Sequence, residues 1–316
     1  MHTMIVIQEN IILAPYTIYK IGGPARFFVE TKQVQEVQEA LEFAAEKNKP
    51  FFILGAGSNV LISDKGFDGL VIRMTGGEIA VEGERIKIDA GVMMARAVME
   101  SGRAALTGFE WGIGVPGTIG GSVRGNAGCF GGEMKDVIES VEMFDTDQKI
   151  IRIMNNSECE FGYRDSVFKK HPDLVVLAAT LHVKTGDQEK IQQEIRRIMQ
   201  ERVAKQDIGA KCCGCIFKNV SWMGQGIDKQ SLLAQFPELH QFENAPHIPA
   251  AFFVDMAGLK GQCRGKVCIS QRHANFFINQ GGGLSDDVRA LIGLAKEEVR
   301  KKFGILLEEE IQMIGF

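Results

Sequence analysis

The sequence predicts an α+β protein of two domains, and three observations carry that prediction. The chain has 316 residues, more than one small core organises, so two or three domains is the natural division. Strand-like and helix-like segments are segregated rather than alternating as a regular βαβ series. Between Gly112 and Gly132, GIGVPGTIGGSVRGNAGCFGG spends nine of twenty-one residues on glycine. Glycine gives up more backbone freedom on ordering than any other residue. A chain tolerates that density where backbone comes very close to a ligand, typically a phosphate cradled by N–H groups. The block therefore reads as the wall of a cofactor site.

The elements follow in chain order. Residues 32 to 48 place Val34, Val37, Leu41 and Ala44 at helical spacing. After Pro50, FFIL reads as a short buried strand, and GAGSN followed by VLIS as a first phosphate-loop candidate. Residues 69 to 74 and 85 to 89 read as strands, then comes the glycine block, then strands at 137 to 145 and 174 to 184. Residues 188 to 206 form an amphipathic helix with Ile191, Ile195, Ile198, Met199 and Val203 on one face. IPAAFFVDMAGLKG suggests a helix ending at Gly258, and VCIS and NFFIN read as strands. Ser285, Asp286 and Asp287 open a last helix with favourable N-terminal chemistry. Val288, Leu291, Ile292, Ala295 and Val299 form its apolar face, and Gly304 is its stop. The tail ILLEEEIQMIGF reads as a final strand.

Composition narrows the function. Hydrophobic content is 45% and charged content 24%, ordinary for a globular protein. A net charge of -4 leaves no nucleic-acid footprint. No apolar run approaches the roughly 20 residues of a membrane span. The opening MHTMIVIQEN has no basic region and too short an apolar run for a secretory leader. Seven cysteines, an odd count, are scattered at 129, 159, 212, 213, 215, 263 and 268. That argues against a disulfide framework and for a reducing compartment, so a cytoplasmic location is expected.

Two patterns imitate other chemistry. Gly112-x-Gly114-x-x-Gly117 matches the dinucleotide fingerprint in form. That motif needs a buried strand before it and a helix opening after it. ALTGFEW is a poor strand, and Pro116 with further glycines a poor helix start. Cys212-x-x-Cys215 with Cys263 and Cys268 offers four thiolates to zinc. The second pair is spaced by five positions, no histidine clusters nearby, and Cys213 is surplus, so no metal is expected.

Blocks along nearly the whole length resemble the UDP-N-acetylenolpyruvoylglucosamine reductase (MurB) family. They are TIYKIGGPARFFVET, ILGAGSNVLISDKGFDGLVIRM, GVPGTIGGSVRGNAGCFGGEM, GYRDSVFK, GCIFKN, IPAAFFVDMAGLKG, SQRHANFFIN and LLEEEIQMIG, in that order. The resemblance implies an FAD-binding module of the vanillyl-alcohol-oxidase (PCMH) type over residues 1–205, with two lobes and a core of about 17–186. A smaller α+β substrate domain over 206–316 follows, its last strand carrying Glu310. Two departures stand out: Cys215 occupies the family's usual serine position, and Val220 its proline. Only fifty-one positions separate Arg164 from Cys215, which resembles the shorter subclass without a tyrosine-bearing capping loop.

The reaction implied by the resemblance reduces UDP-N-acetylglucosamine enolpyruvate to UDP-N-acetylmuramate for peptidoglycan. NADPH is the co-substrate and FAD the relay. Reducing the enolpyruvyl double bond builds an enolate-like dianion. Arg164 is implied for the carboxylate, because a guanidinium binds it in a planar fork. Read from the residues alone, Arg164 is as well a surface ion pair with Asp165. Glu310 is implied as the acid near the C-terminus; strand alternation sets Glu309 apart but cannot separate Glu308 from Glu310. By itself the glutamate run reads as a solvated charge run. Cys215 is implied as proton donor to carbon. A free thiol, with a pKa near ~8.5, is mostly protonated at neutral pH. Arg164 and Lys218 would oppose that by favouring thiolate.

The FAD diphosphate is expected against Gly55, Gly57, Ser58 and Asn59, with Gly117, Thr118, Gly120 and Gly121 completing the cradle. None of the six histidines lies in either loop, so the flavin is expected to be non-covalent. Tyr163, Lys218, Asn219, Lys260 and His273 are the candidate substrate contacts. The protein is expected to act as a monomer, with neither nucleic acid nor membrane as partner. Two other readings stay open: a related flavoprotein alcohol oxidase, and a zinc-stabilised binding module without turnover.

Overall fold

The structure is a computed structural model and describes residues 5–316. The apolar opening therefore lies partly outside the described residues. The chain divides into two compact units. The first comprises the segment ending at Ile12, Pro24–Ser58 and Phe67–Ala204. The second comprises Leu13–Gly23, Asn59–Gly66 and Lys205–Phe316. Two N-terminal segments thus join the C-terminal unit, where the sequence reading drew a single cut after residue 205. The reason is long-range pairing. Strand Gln312–Ile314 runs parallel to Val60–Ile62. Tyr19 is fully buried in the second core, where its carbonyl accepts from Asn279 Nδ2 at 3.0 Å.

The first unit contains two sheets. One has the order Gln8–Ile12, Pro24–Thr31, Phe67–Met74, Phe51–Leu54. Its first pair is antiparallel and the other two are parallel. Helix Val34–Glu46 covers it with Val37, Ala40, Leu41 and Ala44, as its spacing predicts. The other sheet is antiparallel, in the order Ile150–Asn155, Ile138–Asp145, Leu174–His182, Arg85–Asp89, Ile79–Glu82. Strands 8–12, 24–31, 79–82 and 150–155 and helix Met94–Arg103 were not read from the sequence. Strand Ile150–Asn155 shows why: it is almost wholly exposed, so its apolar residues carry no two-residue alternation.

Helix Gln188–Lys205 forms where expected, but its face is narrower. Ile191, Ile195 and Ile198 are buried, whereas Met199 is 51% and Val203 60% exposed. At about 100° per residue the latter two rotate out of the stripe.

The second unit is built around helix Ser285–Phe303, whose Val288, Leu291, Ile292, Ala295, Val299 and Phe303 are all buried. Asp287 accepts from the Leu284 N–H at 3.0 Å, the expected start chemistry. The Ser285 hydroxyl and N–H instead both go to Asp64, at 2.7 and 2.6 Å. The helix stops at Gly304, left-handed with φ 70°. Helix Ala250–Met256 ends before Gly258, and strands Val267–Ile269 and Phe277–Asn279 pair antiparallel. The expected final strand shrinks to Gln312–Ile314.

The cysteines correct one expectation. Cys263 and Cys268 sit opposite each other in a hairpin, Cα atoms 4.1 Å apart, and form a disulfide. Scatter along the sequence hid a pair that the turn at Gly265 and Lys266 brings face to face. Among the described residues no helix is long and apolar enough to cross a membrane.

Candidate active site

The two glycine loops chosen from the sequence lie against each other in the first unit. Ser58 Oγ donates to the Pro116 carbonyl at 3.0 Å. A methyl group added to Gly55 would sit 2.4 Å from Thr118 Oγ1, and one added to Gly117 would sit 2.9 Å from Ser58 Oγ. Gly117 also takes φ 132° and Gly57 φ 65°, which L side chains rarely adopt. Glycine is thus required for one loop to close on the other. This leaves a surface of bare backbone, the kind of wall a diphosphate needs, and the residues present fit an FAD diphosphate.

The second loop divides its labour in a way the sequence did not show. Gly120 donates its N–H to the Ala90 carbonyl at 2.9 Å, and its added Cβ would meet Ala90 Cβ at 2.8 Å. The Ile119 N–H goes to Val92, and Gly121 donates to Thr118 Oγ1 at 3.4 Å. Gly120 is therefore glycine for close packing of helix Ile119–Arg124, and its amide is already committed. Thr118 caps that helix. Asn59 departs from the loop altogether. It belongs to the second unit, where its Nδ2 donates to the Glu310 carbonyl at 3.3 Å and its carbonyl accepts from Gln312 at 3.0 Å. The dinucleotide fingerprint does not materialise: Glu110–Gly114 is a 3-10 turn preceded by a two-residue strand.

Arg164 also lies in the first unit. It is left-handed with φ 53°, and its Nη2 donates to the Gly128 carbonyl at 2.7 Å. Its guanidinium stands 5.2 Å from the Tyr163 ring centroid. Asn126, fully buried and unnoticed in the sequence, ties the glycine block to this turn. It donates to the Gly162 carbonyl and to Glu133, both at 2.8 Å, and accepts from the Lys135 N–H. Its signal was its place inside the glycine run, where a buried amide must replace missing side chains.

In the second unit the chain brings Cys215 and Glu310 into one place. Lys218 N–H donates to the Glu308 carbonyl at 2.9 Å and Glu310 N–H to the Ile216 carbonyl at 2.8 Å, with Phe217 bridging Glu309 between them. Glu310 is therefore backbone-paired one residue from Cys215. Asn275, another buried residue the sequence did not expose, clamps this segment. Its side chain accepts from Phe217 N–H at 2.9 Å and donates to the Phe217 carbonyl at 2.8 Å. Burial pushes the neighbouring Cys213 thiol far above its ordinary value, and Cys212, Cys215 and Glu310 add to the push. Cys213 is thus an inert thiol beside the candidate one.

The glutamate run lies outside the final strand, and its burial does not alternate: Glu308 is exposed while Glu309 and Glu310 are both half-buried. Glu309 pairs with Lys296 at 2.9 Å, and exposed Glu308 with Lys218 at 3.4 Å. The Lys218 charge is thus spent on Glu308. Lys260 is likewise paired, with Asp255. Asn219 Oδ1 accepts from the Ala250 N–H at 3.2 Å, holding the start of helix Ala250–Met256. The half-buried His273 ring lies 4.3 Å from the Phe276 centroid, and burial lowers its pKa. The disulfide removes Cys263 and Cys268 from the four candidate zinc thiolates.

Comparison with known proteins agrees with this layout. Residues 25–154 match the FAD binding domain family, and residues 206–314 match the UDP-N-acetylenolpyruvoylglucosamine reductase C-terminal domain. A UDP-N-acetylenolpyruvoylglucosamine reductase of Synechococcus sp. (strain JA-3-3Ab) is 36% identical over 98% of this chain and 91% of its own length. That of Solibacter usitatus (strain Ellin6076) is 32% identical over 96% and 95%. The crystal structure of the Thermus caldophilus enzyme aligns with TM-score 0.76 and 28% identity, covering 98% of this chain and all of that one. The expected order of an FAD-binding module followed by an α+β C-terminal domain stands. The chain belongs to the UDP-N-acetylenolpyruvoylglucosamine reductase family.

Proposed function

We propose that this protein is an FAD-dependent oxidoreductase that reduces UDP-N-acetylglucosamine enolpyruvate with NADPH, a step of peptidoglycan precursor synthesis. The observation that carries the reading is the closure of the Gly55–Ser58 loop on Pro116–Thr118, which only glycine permits, within a chain of this family. Bound FAD supplies the two-electron relay between NADPH and the substrate double bond. The first unit acts as the flavin module and the second as the substrate module. Gly55, Gly57, Ser58, Gly117 and Thr118 hold the diphosphate non-covalently.

Arg164 fixes the substrate carboxylate and stays charged while negative charge grows on it. Cys215 holds the proton delivered to carbon at its Sγ. Glu310 supports the developing enol oxygen from the adjoining backbone pair. Tyr163, Lys218, Asn219, Lys260 and His273 orient the nucleotide sugar. For Lys218 and Lys260 this means exchanging a surface carboxylate for a substrate phosphate, a cheap exchange because exposed ion pairs contribute little. The protein works as a monomer, and a cytoplasmic location rests on the precursor-synthesis step alone, since the Cys263–Cys268 disulfide removes the argument from unpaired cysteines.

The absorption spectrum of the purified protein tests the reading. The protein should be yellow, bleach with NADPH, and recover colour on addition of the enolpyruvyl nucleotide sugar under anaerobic conditions. Recovery only with oxygen would mark an alcohol-oxidase type of enzyme instead. A colourless, zinc-containing protein would mark a binding module.

A further inference from the structure

Arg124 closes helix Ile119–Arg124, and its backbone is fixed: its carbonyl accepts from Ser166 Oγ at 2.7 Å. Its side chain is different. The residue is only partly exposed, and among the described residues no carboxylate or carbonyl hydrogen-bonds its guanidinium. Burial lowers its pKa, with only the electrostatic pull of Asp165 working the other way. Asp165 makes no hydrogen bond to it, and the nearest cation to Asp165, Lys170 at 4.0 Å, is itself bonded to Glu160 at 3.0 Å. A half-buried guanidinium that no hydrogen bond meets is costly to hold, and an arriving anion relieves that cost. Its surroundings say which part of the unit that anion reaches. Asn126 holds the Gly162 carbonyl, Ser166 holds Arg124, and Arg164 holds Gly128. Segments 124–128 and 162–166 are therefore laced together, which sets Arg124 beside the turn that carries Arg164. The diphosphate cradle begins at the other end of the helix, about 9 Å away for six residues.

We infer that Arg124 is a second anion-binding residue of the first unit, placed beside the Arg164 turn to take a carboxylate or phosphate oxygen of the substrate pair rather than the flavin diphosphate. A planar, permanently charged fork suits either oxygen group. The inference rests on the reductase reading.

Calorimetric titration of the FAD-loaded enzyme separates the possibilities, comparing wild type with Arg124→Gln and Arg124→Lys. The ligands are UDP-N-acetylglucosamine enolpyruvate, UDP-N-acetylglucosamine, NADP+ and NAD+, the oxidised nucleotides being used because they cannot reduce the flavin. Arg124→Gln should lose about 10- to 100-fold in affinity for one charged ligand, with partial recovery in Arg124→Lys. Loss for the enolpyruvyl sugar but not for the sugar without its carboxylate identifies the carboxylate. Loss for NADP+ but not NAD+ identifies the 2′-phosphate. Thermal midpoint and FAD retention should hold or rise in Arg124→Gln, since a half-buried charge without a hydrogen bond is removed; a merely structural arginine would lower them. Wild-type affinities in Arg124→Gln for all four ligands, or a loss confined to FAD, overturn the inference. Failure of wild type to bind any of the four overturns the reductase reading, and this inference with it.

Discussion

The glycine loops of the first unit and the pairing of Cys215 and Glu310 in the second are built by opposite means. The cradle is made of what is missing. Gly55 and Gly117 let two loops touch because neither carries a Cβ. The second segment is made of what is present: a thiol and a carboxyl held by backbone pairing to Ile216 and by the Asn275 clamp. A backbone site tolerates almost no change of shape but asks little of side-chain chemistry. A side-chain site tolerates exchange of one proton donor for another of similar shape but not removal of the donor. Substitutions should therefore fail in different ways in the two regions.

The largest effect should fall on Cys215. Cys215→Ala should lower steady-state turnover by about 10²–10⁴-fold, the usual contribution of a positioned acid, with FAD content unchanged by absorbance. Cys215→Ser should keep most of the activity. Loss of FAD in Cys215→Ala would mean that the two regions are not separable in this way.

Arg164 comes next. Arg164→Gly relieves a left-handed backbone costing roughly 1–2 kcal/mol and loses the contacts of the guanidinium, among them the hydrogen bond to the Gly128 carbonyl, such a bond contributing about 1 kcal/mol. Stability by denaturant titration should then change little while KM for the enolpyruvyl sugar rises at least tenfold. A large stability loss with unchanged KM would make Arg164 a structural residue.

Within the cradle, Gly117→Ala and Gly121→Ala should diverge. Gly117 sits at φ 132° with Ser58 Oγ 2.9 Å from the added carbon, whereas Gly121 has its nearest atom at 3.6 Å. Gly117→Ala should cost about 1–3 kcal/mol and weaken FAD binding measured by fluorescence quenching. Gly121→Ala should do neither. Equal behaviour of the two would remove the close-approach argument.

The smallest effect is a pH dependence. Burial depresses the folded-state pKa of His273 below its ordinary 6.5. The unfolded chain therefore binds that proton more tightly, so the stability contribution is full above the unfolded value and is lost as pH falls through the folded one. His273→Gln should flatten the decline of thermal midpoint below pH ~6.5. An unchanged slope would assign the decline to other groups.

These two regions also differ in how far the sequence announced them. The cradle was legible because glycine density has a local cause: Gly55, Gly57 and Gly117 carry it within a few positions. What stayed hidden there was the division of roles. Gly120 serves packing on Ala90, and Asn59 pairs with the C-terminal segment, because both partners lie far along the chain. Cys215 and Glu310 are nearly a hundred residues apart, and no periodicity links them; only resemblance pointed to the pair. Helix Ser285–Phe303 was legible from its caps and stripe. Strand Gln8–Ile12 and the transfer of Leu13–Gly23 to the second unit were not, since pairing across the chain decides both. The Cys263–Cys268 bridge was missed because a hairpin register, not spacing alone, sets the two thiols opposite each other.

Rapid mixing of the FAD-loaded Cys215→Ala variant tests the central division most directly, with flavin absorbance followed under anaerobic conditions. Bleaching by NADPH should proceed at the wild-type rate, because the backbone cradle is intact. Recovery on adding UDP-N-acetylglucosamine enolpyruvate should be slowed at least about a hundredfold, because the proposed proton donor is gone. Recovery at the wild-type rate would contradict the account and move the chemistry away from Cys215.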